Sequence, residues 1–406
     1  MTAVPKDSPI VPLEDDEYWE NPYPILAELR DHHRTAVTPE GIKVILRWDD
    51  AEEIKKRPEF INEGLEYIEA RGFRPGDPLY EWRRYSIGAL NGEDHRRLRS
   101  LVNRALTPRS VERVRPVVRG HVRELLERHA DDGGFDVREH IRIVPFLSIA
   151  AFLEISPVEA AEVGRKMQGG GGDAFGPHVT QEIRDRANAT FAAAMEFVGG
   201  LVEDRRQNPR DDLLSRLIAV EEDGDRLSTD ELIVLFTNIF AGAIDTTSSV
   251  MTSMFLEFAR HPDQLDLLRS DPEGLVRGAV EEVLRYRPGF YASGNKTTTA
   301  TELAGLQFEP EEPVSTIIAG PNRDPRRYED PDRFDITRDP TLWSFTFSMG
   351  PHFCLGQALA RAELQETALA IAHHTRDLQL TDEPRWLPRV MVNHVDRCPI
   401  AYEFVP

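Results

Sequence analysis

The sequence predicts a mainly α-helical protein in which short β-strands are a minority. Helix caps delimit successive segments from about residue 93 to residue 288. Strand-like segments are short and lie outside that region: IKVILRW near the start, LQFEPEEPVSTII around residue 310, and RVMVNHVDRCPIAYEF at the end. No repeat or linker divides the chain cleanly, so we expect a single domain spanning residues 1–406.

One helix is predicted to be unusually long and to cross the core. The Ser228 hydroxyl can cap the amide of Glu231 while that carboxylate reaches back, and Pro262 bounds the other end. This length of roughly thirty residues exceeds the usual helix. The apolar stretch 232–259 is long enough to span a membrane, but Asp245 and several hydroxyl residues interrupt it. A buried helix is therefore the better interpretation.

The segments that follow are also readable from their caps and turn residues. Asp271 and Pro272 open a second helix that ends at Pro288. The stretch AGPNRDPRRYEDPDRFDITRDP is dense in Pro, Asp and Arg and predicts a long, ordered, irregular meander. Loops of that length in a compact domain tend to be functional.

Charge and cysteine content restrict the function and the compartment. The formal net charge is -21, from 49 basic and 70 acidic residues, which argues against coating nucleic acid or anionic membrane. Two cysteines, Cys354 and Cys398, imply no disulfide framework and favour a reducing compartment. The N-terminal segment is acidic and broken by prolines, unlike a signal peptide or anchor. We therefore expect a cytoplasmic protein without a membrane or nucleic-acid partner.

Cys354 has a setting that suits a metal-binding thiolate. It lies in FTFSMGPHFCLGQALARAEL, a glycine-punctuated loop that leads into a helix. The free amides of a helix N-terminus stabilise a thiolate and lower its pKa. Gly350 and Gly356 would let the backbone pass close to a flat cofactor. A buried core thiol is the alternative for Cys354 and the better interpretation for Cys398, which lacks such surroundings.

This loop resembles the haem-binding loop of the cytochrome P-450 family, usually written F-G-x-G-x-H-x-C-x-G. Ser348 departs from the pattern where glycine is usual. The resemblance implies the family fold, a helical domain with small β-sheets and a long central helix over the haem. It implies that Cys354 ligates the iron of heme b (iron protoporphyrin IX) and that His352 contacts a propionate. The matching positions are Phe347, Gly350, His352, Cys354 and Gly356.

Glu282 and Arg285 stand three residues apart on the helix that ends at Pro288, so they share a face. An exposed pair of this kind would have no functional meaning. In the family that the chain resembles, the same pair is buried and joined by an arginine from the meander. That comparison implies Arg333, in PDRF, as the third member.

The long helix carries FAGAIDTTSS, with polar residues at its middle. Thr246 could simply bond back to a carbonyl one turn earlier. The sequence nevertheless resembles the family's oxygen-activation motif, which implies Asp245 and Thr246 as proton-relay residues. It also implies that Ala241 and Gly242 lie against the haem.

NGEDHRRLRSLVNRALTP is similar to the family helix whose histidine and arginine bind haem propionates, which gives His95 and Arg99. A solvated basic face is the alternative. A further propionate contact is usually an arginine in the strand after the Glu282 helix. That arginine is missing here, and Asn295 or Lys296 falls nearest.

The resemblance implies a monomeric haem-thiolate monooxygenase that inserts one oxygen atom from O2 into a small to medium apolar organic substrate. Hydroxylation, O-dealkylation and epoxidation are the reactions expected, with ferredoxin and ferredoxin reductase as external electron donors. A peroxide-driven peroxygenase is one alternative, against which Asp245 and Thr246 count. A non-enzymatic haem sensor is the other.

Three further sets of positions are expected to serve that activity. Residues 169–178, GGGGDAFGPH, are expected to form a lid over the substrate channel. Asn238 could bond a polar substrate group or be satisfied within its own helix. The pocket positions are Asn238, Ala241, Phe290, Tyr291, Met391 and Val392. The arginines expected to orient the electron donor on the cysteine side are Arg96, Arg97, Arg104, Arg109, Arg113 and Arg361.

Overall fold

A computed structural model describes residues 8–105, 108–167, 172–176, 178–222, 225–387 and 391–406. The helices in these ranges are α1 (Asp16–Glu20), α2 (Pro22–His32), α3 (Trp48–Lys56), α4 (Glu66–Glu69), α5 (Pro78–Tyr85), α6 (Gly92–Ala105), α7 (Pro108–Arg128), α8 (Val137–His140), α9 (Ile143–Leu153), α10 (Pro157–Met167), α11 (Gln181–Gln207), α12 (Leu213–Ala219), α13 (Thr229–Arg260), α14 (Pro262–Ser270), α15 (Pro272–Tyr286), α16 (Ala319–Asn322) and α17 (Gln357–His374). Helices dominate the described chain, as the sequence predicts.

The strands are short. They are β1 (Thr35–Val37), β2 (Lys43–Ile45), β3 (Phe60–Asn62), β4 (Gly134–Asp136), β5 (Glu221–Glu222), β6 (Asp225–Arg226), β7 (Ala292–Thr297), β8 (Thr301–Leu303), β9 (Leu306–Phe308), β10 (Pro313–Ile317), β11 (Thr375–Leu380) and β12 (Pro399–Phe404). The larger sheet has the order β1-β2-β10-β7-β3, in which β2 and β10 are parallel and the other pairs antiparallel. A second sheet has the order β11-β12-β4. Two antiparallel pairs, β5 with β6 and β8 with β9, complete the set in the described ranges.

The long helix α13 begins at the predicted cap. The Ser228 hydroxyl accepts from the Glu231 amide, and the Glu231 carboxylate accepts from the Ser228 amide, which forms a complete capping box. Among the described residues, α13 is the one helix long and apolar enough to cross a bilayer, but most of its apolar part is buried inside the protein. It packs against α9, α11 and α17, so it forms the centre of the helical core.

The helix α15 and the meander after it position the loop that carries Cys354. Asp271 caps α15 through the Gly274 amide, with Pro272 in the first turn, as predicted. Between α16 and residue 344 the meander contains neither a strand nor a helix. Two short 3-10 turns follow, Phe345–Phe347 and Gly350–His352. Those turns lead directly into α17, whose N-terminus follows Cys354.

Candidate active site

The loop before α17 holds Cys354 in a fixed turn. The Cys354 amide donates to the Phe347 carbonyl at 2.9 Å, which closes the loop around the two 3-10 turns. Gly350 has φ +67°, and a Cβ at that position would lie 2.6 Å from the carbonyl oxygen of Lys55 on α3. Glycine is therefore required at position 350 both by its backbone conformation and by the close approach of α3.

Ser348 occupies the position where the sequence departs from the family pattern. Its φ is 59° and its ψ is -164°, a region that side-chain-bearing residues rarely adopt. The Ser348 amide donates to the Phe345 carbonyl at 2.9 Å, so the turn forms despite the unfavourable conformation. The serine therefore strains the turn without altering its path.

Replacing Ser348 with glycine is expected to stabilise the protein. The strain at a positive φ outweighs the greater flexibility of glycine in the unfolded chain, and we expect a gain of about 1 kcal/mol. Thermal unfolding followed through the haem absorbance measures the effect. The control is Ser344→Gly, because Ser344 has an extended backbone with φ -85° and no strain to relieve. A lower midpoint for Ser348→Gly than for the wild type would contradict the interpretation.

Two opposing influences act on the Cys354 thiol. Burial raises its pKa, whereas the Gly356 and Gln357 amides and the guanidinium groups of Arg99 and Arg361 lower it. The effect of burial is the larger, so the helix N-terminus alone does not lower the pKa as expected from the sequence. A bound metal ion deprotonates a coordinating thiol outright. The setting therefore suits a thiolate held by a metal.

Two residues in the middle of α13 are uncovered, although the helix runs through the hydrophobic core on which Cys354 packs. Ala243 and Ile244 belong to the hydrophobic cluster that includes Cys354, yet Ala241 and Gly242 are exposed although they lie halfway along a buried helix. A Cβ at Gly242 would meet no heavy atom within 4 Å. The same holds for Gly356, next to the cysteine loop. Both glycines therefore border space that a flat cofactor would fill.

Basic side chains converge beside this space. The rings of His95 and His352 have centroids 4.1 Å apart, and Nε2 of His95 is buried without a hydrogen-bond partner among the described residues. Arg99 donates from Nη2 to the Phe353 carbonyl at 2.6 Å. Burial, together with the charges of His95, Lys55, Arg99 and Arg83, lowers the pKa of His352 to about 3. Such a concentration of positive charge fits the two carboxylates of a haem.

Asp245 and Thr246 lie on α13 as predicted, and each has a partner. The Asp245 carboxylate pairs with Nη2 of Arg142 at 3.0 Å, and both side chains remain partly exposed. The Thr246 hydroxyl donates to the Gly242 carbonyl at 2.6 Å, which is the bond anticipated as the simpler explanation. That bond uses the hydroxyl proton and leaves the oxygen lone pairs free to accept.

Glu363 on α17 is a buried carboxyl that the sequence reasoning missed. Burial raises its pKa to about 8, although the hydroxyls of Ser148 and Thr247 donate to it. Thr247 follows Thr246 on α13, so Glu363 connects α17 with the polar part of that helix. The available signal was an acidic residue directly between the apolar residues Ala362 and Leu364.

The buried ion pair is present, but its third member is not the predicted one. Arg285 binds Glu282 with two bonds of 2.8 Å, and Nε of Arg338 lies 3.3 Å from the same carboxylate. The Arg333 side chain is 62% exposed and is 3.8 Å from Asp335. Arg333 contributes only its carbonyl, which accepts from Arg285 and Arg338. The prediction of Arg333 was wrong because its side chain points to solvent. The guanidinium that reaches Glu282 belongs to Arg338, five residues further along the meander.

This ion pair connects the meander to the cysteine loop. Arg285 donates to the carbonyls of Asn322 and Pro331, which anchors both ends of the meander's first half. The Asn322 side chain accepts from the Phe345 amide at 2.6 Å, and the Thr346 hydroxyl donates to the Leu284 carbonyl at 2.6 Å. The segment that precedes Cys354 is thus fixed to α15.

The predicted pocket positions fall in different environments. Asn238 is bonded to the Ser86 hydroxyl and the Val234 carbonyl, so it is satisfied within the protein. The Tyr291 hydroxyl bonds the Tyr18 hydroxyl at 2.6 Å, and its ring packs on that of Trp19, so the polar end of this predicted pocket residue is already occupied.

The remaining pocket positions lie near one another. Phe290 and Val392 form a bridge between two chain segments, and Met391 is 39% exposed and accepts from the Tyr291 amide.

Three of the arginines predicted to orient the electron donor form ion pairs within the protein. Arg97 pairs with Glu231, Arg113 with Glu154, and Arg361 with Glu281. Arg96 and Arg109 are exposed. The predicted lid, 169–178, lies partly outside the described residues, and its described part begins with a 3-10 turn at Gly172–Phe175.

Known proteins are similar to this chain in sequence and in architecture. The family profile described as Cytochrome P450 matches residues 177–374. The luteothin monooxygenase of Streptomyces thioluteus is 30% identical over 98% of this chain and 96% of that protein. The 6-deoxyerythronolide B hydroxylase of Saccharopolyspora erythraea is 30% identical over 99% of this chain and 100% of that protein.

Solved structures are similar to this protein in fold. The crystal structure of CalO2 superposes with a TM-score of 0.87 at 28% identity, covering 96% of this chain and 97% of that one. Epothilone D-bound cytochrome P450epoK gives a TM-score of 0.85 at 27% identity, covering 95% and 96%. With Cys354 at the start of α17, an open face on α13 and basic side chains suited to haem propionates, the chain belongs to the cytochrome P450 family of haem-dependent monooxygenases.

Proposed function

We propose that this monooxygenase oxidises a largely apolar secondary metabolite, into which it inserts one oxygen atom from O2 by hydroxylation, O-dealkylation or epoxidation. The observation that carries the proposal is the open, mostly apolar face of α13 at Ala241 and Gly242, with Asp245 and Thr246 directly after it. Relatives about 30% identical are named for luteothin, 6-deoxyerythronolide B and epothilone C/D. These names support a substrate of that general class.

Bound haem would supply the reductive activation of O2, and thiolate ligation by Cys354 would favour O–O cleavage. The chain's own residues bind, orient and move protons. Because Thr246 donates its proton to the Gly242 carbonyl, its oxygen can accept a hydrogen bond from water or from a protonated group beside α13. The partly exposed Asp245–Arg142 pair is held weakly, so the carboxylate can leave Arg142 to exchange protons with solvent.

Replacing Thr246 with alanine is expected to uncouple reductant consumption from product formation. The variant should bind haem and substrate normally, because Thr246 contributes no contact to the cysteine loop, but it loses the hydroxyl oxygen that accepts a hydrogen bond from the proton donor. We expect a fall of at least about tenfold in product formed per reductant, with hydrogen peroxide released instead. Parallel assays of product, peroxide and reductant measure this ratio.

The same experiment separates the monooxygenase from a peroxygenase. Thr247→Ala serves as the control, because Thr247 is buried against Glu363 on another face of α13. Unchanged coupling in Thr246→Ala, together with faster turnover by added peroxide than by a reductase system, would favour the peroxygenase.

The substrate class is tested by optical titration of the haem. A library of macrolactones, polyketides and small terpenes is screened for the absorbance shift that accompanies loss of iron-bound water, and compounds that shift are assayed for turnover. Compounds that bind but are never oxidised by the reduced enzyme would favour a haem sensor.

We further propose an external electron donor, a ferredoxin with its reductase, and a cytoplasmic, monomeric protein of one domain. Trp343 is 47% exposed, packs on Phe353 at 5.7 Å between ring centroids, and Phe353 directly precedes Cys354. Arg361 lies over the Trp343 ring, 5.2 Å from its centroid. An exposed aromatic residue next to the proposed iron ligand, on a guanidinium group that pairs with Glu281, suits brief docking of a donor at this surface.

A further inference from the structure

Lys55, on α3, is a buried lysine without an acidic partner. Its side chain is largely inaccessible, and its ammonium donates to the Ser293 hydroxyl at 3.0 Å and to the Asn295 side-chain oxygen at 2.6 Å. In the part of the chain that the structure describes, no carboxylate pairs with it. Burial accordingly lowers the pKa of Lys55 to about 8. A buried charge is normally paired, so these neutral partners leave it incompletely compensated.

The ammonium is held in one orientation. The Asn295 amide nitrogen donates to the Ile61 carbonyl and to the Asn62 side chain, both at 3.1 Å, which turns its oxygen toward Lys55. Ser293 and Asn295 are two residues apart on β7 and therefore face the same side. An ammonium has three donors, and these two acceptors use two of them. One N–H therefore remains for a ligand.

Lys55 lies next to the loop that binds the cofactor. Its carbonyl is the atom that a Cβ at Gly350 would meet at 2.6 Å, and its charge acts on His352. His95 and Arg99 act on the same imidazole, so Lys55 belongs to the basic cluster already described. Lys55 therefore adds a positive charge to the cluster formed by His95 and Arg99.

The strand β7 does not supply this charge itself. A Cβ at Gly294 would lie 2.1 Å from a carboxylate oxygen of Glu63, so no longer side chain fits at that position without displacing Glu63. Lys296 already pairs with Glu66 at 3.0 Å and with Glu311 at 2.6 Å. Asn295, the other residue that the sequence placed nearest, is neutral and binds Lys55.

We propose that Lys55 is a further cationic contact of the haem propionates, beside His95, Arg99 and His352, and that Ser293 and Asn295 position its ammonium for that contact. The cation on α3 would take the place of one that β7 does not provide, since Asn295 is neutral and Lys296 pairs with Glu66 and Glu311. The remaining N–H would donate to a propionate oxygen, a charge-assisted bond that compensates the buried ammonium. This inference rests on haem binding alone and is independent of the substrate.

The test measures how firmly the protein holds haem. Lys55→Met keeps the length and apolar stem of the side chain and removes the charge, and we expect haem to transfer to excess apomyoglobin about tenfold faster than from the wild type. Lys55→Arg should restore most of the retention. In the resonance Raman spectrum, the propionate bending band should shift in Lys55→Met, which a purely structural role would not cause.

Lys56→Met is the matched control. Lys56 is the next residue on α3, its side chain is 65% exposed, and it pairs with Glu52 on the same helix. We expect wild-type haem transfer and an unchanged Raman band from this variant. If Lys55→Met behaves like Lys56→Met in both measurements, Lys55 does not contact the propionates.

Asn295→Asp decides the matter if Lys55→Met does not accumulate as folded holoprotein. The new carboxylate gives the Lys55 ammonium an ion-pair partner, so α3 and β7 stay joined while the lysine charge is compensated within the protein and its charge-assisted bond to the propionate is weakened. We expect haem transfer several-fold faster than in the wild type and a shifted propionate band. Wild-type values for both would overturn the proposal.

Discussion

Cys354→Ala is expected to abolish thiolate-ligated haem completely. The only other cysteine, Cys398, is fully buried, and burial together with nearby Asp136 raises its pKa to about 12. Cys398 also lies beside β4, where its amide bonds Asp136, and not in the loop before α17, so it does not replace Cys354 as a ligand. The reduced carbon monoxide spectrum of the variant should lack the band characteristic of thiolate ligation, and monooxygenase turnover should be undetectable.

Cys398→Ala provides the control for that experiment. Its amide donates to Asp136 at 2.9 Å, a bond that the substitution leaves in place. The loss of the buried sulfur should cost about 1–2 kcal/mol of stability, and the carbon monoxide spectrum should remain that of the wild type. A normal spectrum in Cys354→Ala would show that another residue ligates the iron.

Arg285→Ala is expected to destabilise the protein by about 3–5 kcal/mol, because it leaves the Glu282 carboxylate buried without its bidentate partner. The same substitution releases the Asn322 and Pro331 carbonyls that Arg285 holds, and so loosens the segment before Cys354. Urea unfolding followed by far-ultraviolet circular dichroism gives the loss of stability. Haem content of the purified variant should fall in parallel.

Two arginines of the meander supply matched comparisons for Arg285. Arg338→Ala removes a guanidinium that lies 3.3 Å from Glu282, and should cost about 1.5–3 kcal/mol. Arg333→Ala removes an exposed side chain and should change stability by no more than about 0.5 kcal/mol. Equal losses for the two would contradict the assignment of Arg338 as the third member of the cluster.

The elements that local chemistry defines were predictable from the sequence. The capping box at Ser228, the Asp271 cap and the meander all arise from residues close to one another along the chain. The cysteine loop is likewise local, since glycine positions and a following helix mark it. The residues of that loop predicted a thiolate setting for Cys354, and the resemblance of the loop to the family motif implied haem ligation.

The direction in which a side chain points within an irregular segment was not predictable. The meander has no helical or strand period from which to derive a facing side, so the sequence did not show that Arg338, and not Arg333, presents its guanidinium to Glu282. Tyr291 was predicted as a pocket residue from the family resemblance, and its polar contact depends on a distant segment. Its hydroxyl in fact bonds Tyr18, from a segment more than 270 residues earlier in the chain.

By itself the sequence determined the fold class and the helices that carry Asp245, Thr246, His95 and Arg99, because caps, turns and residue spacing act over a few residues. The resemblance of its cysteine loop to a known family supplied the prediction of Cys354 as the iron ligand. Only the tertiary structure decided which charges are buried together. Lys55 and Glu363 look like ordinary polar residues of amphipathic helices until α3 packs on β7 and α17 packs on α13. Burial and pairing depend on contacts between distant segments, and local periodicity does not encode those contacts.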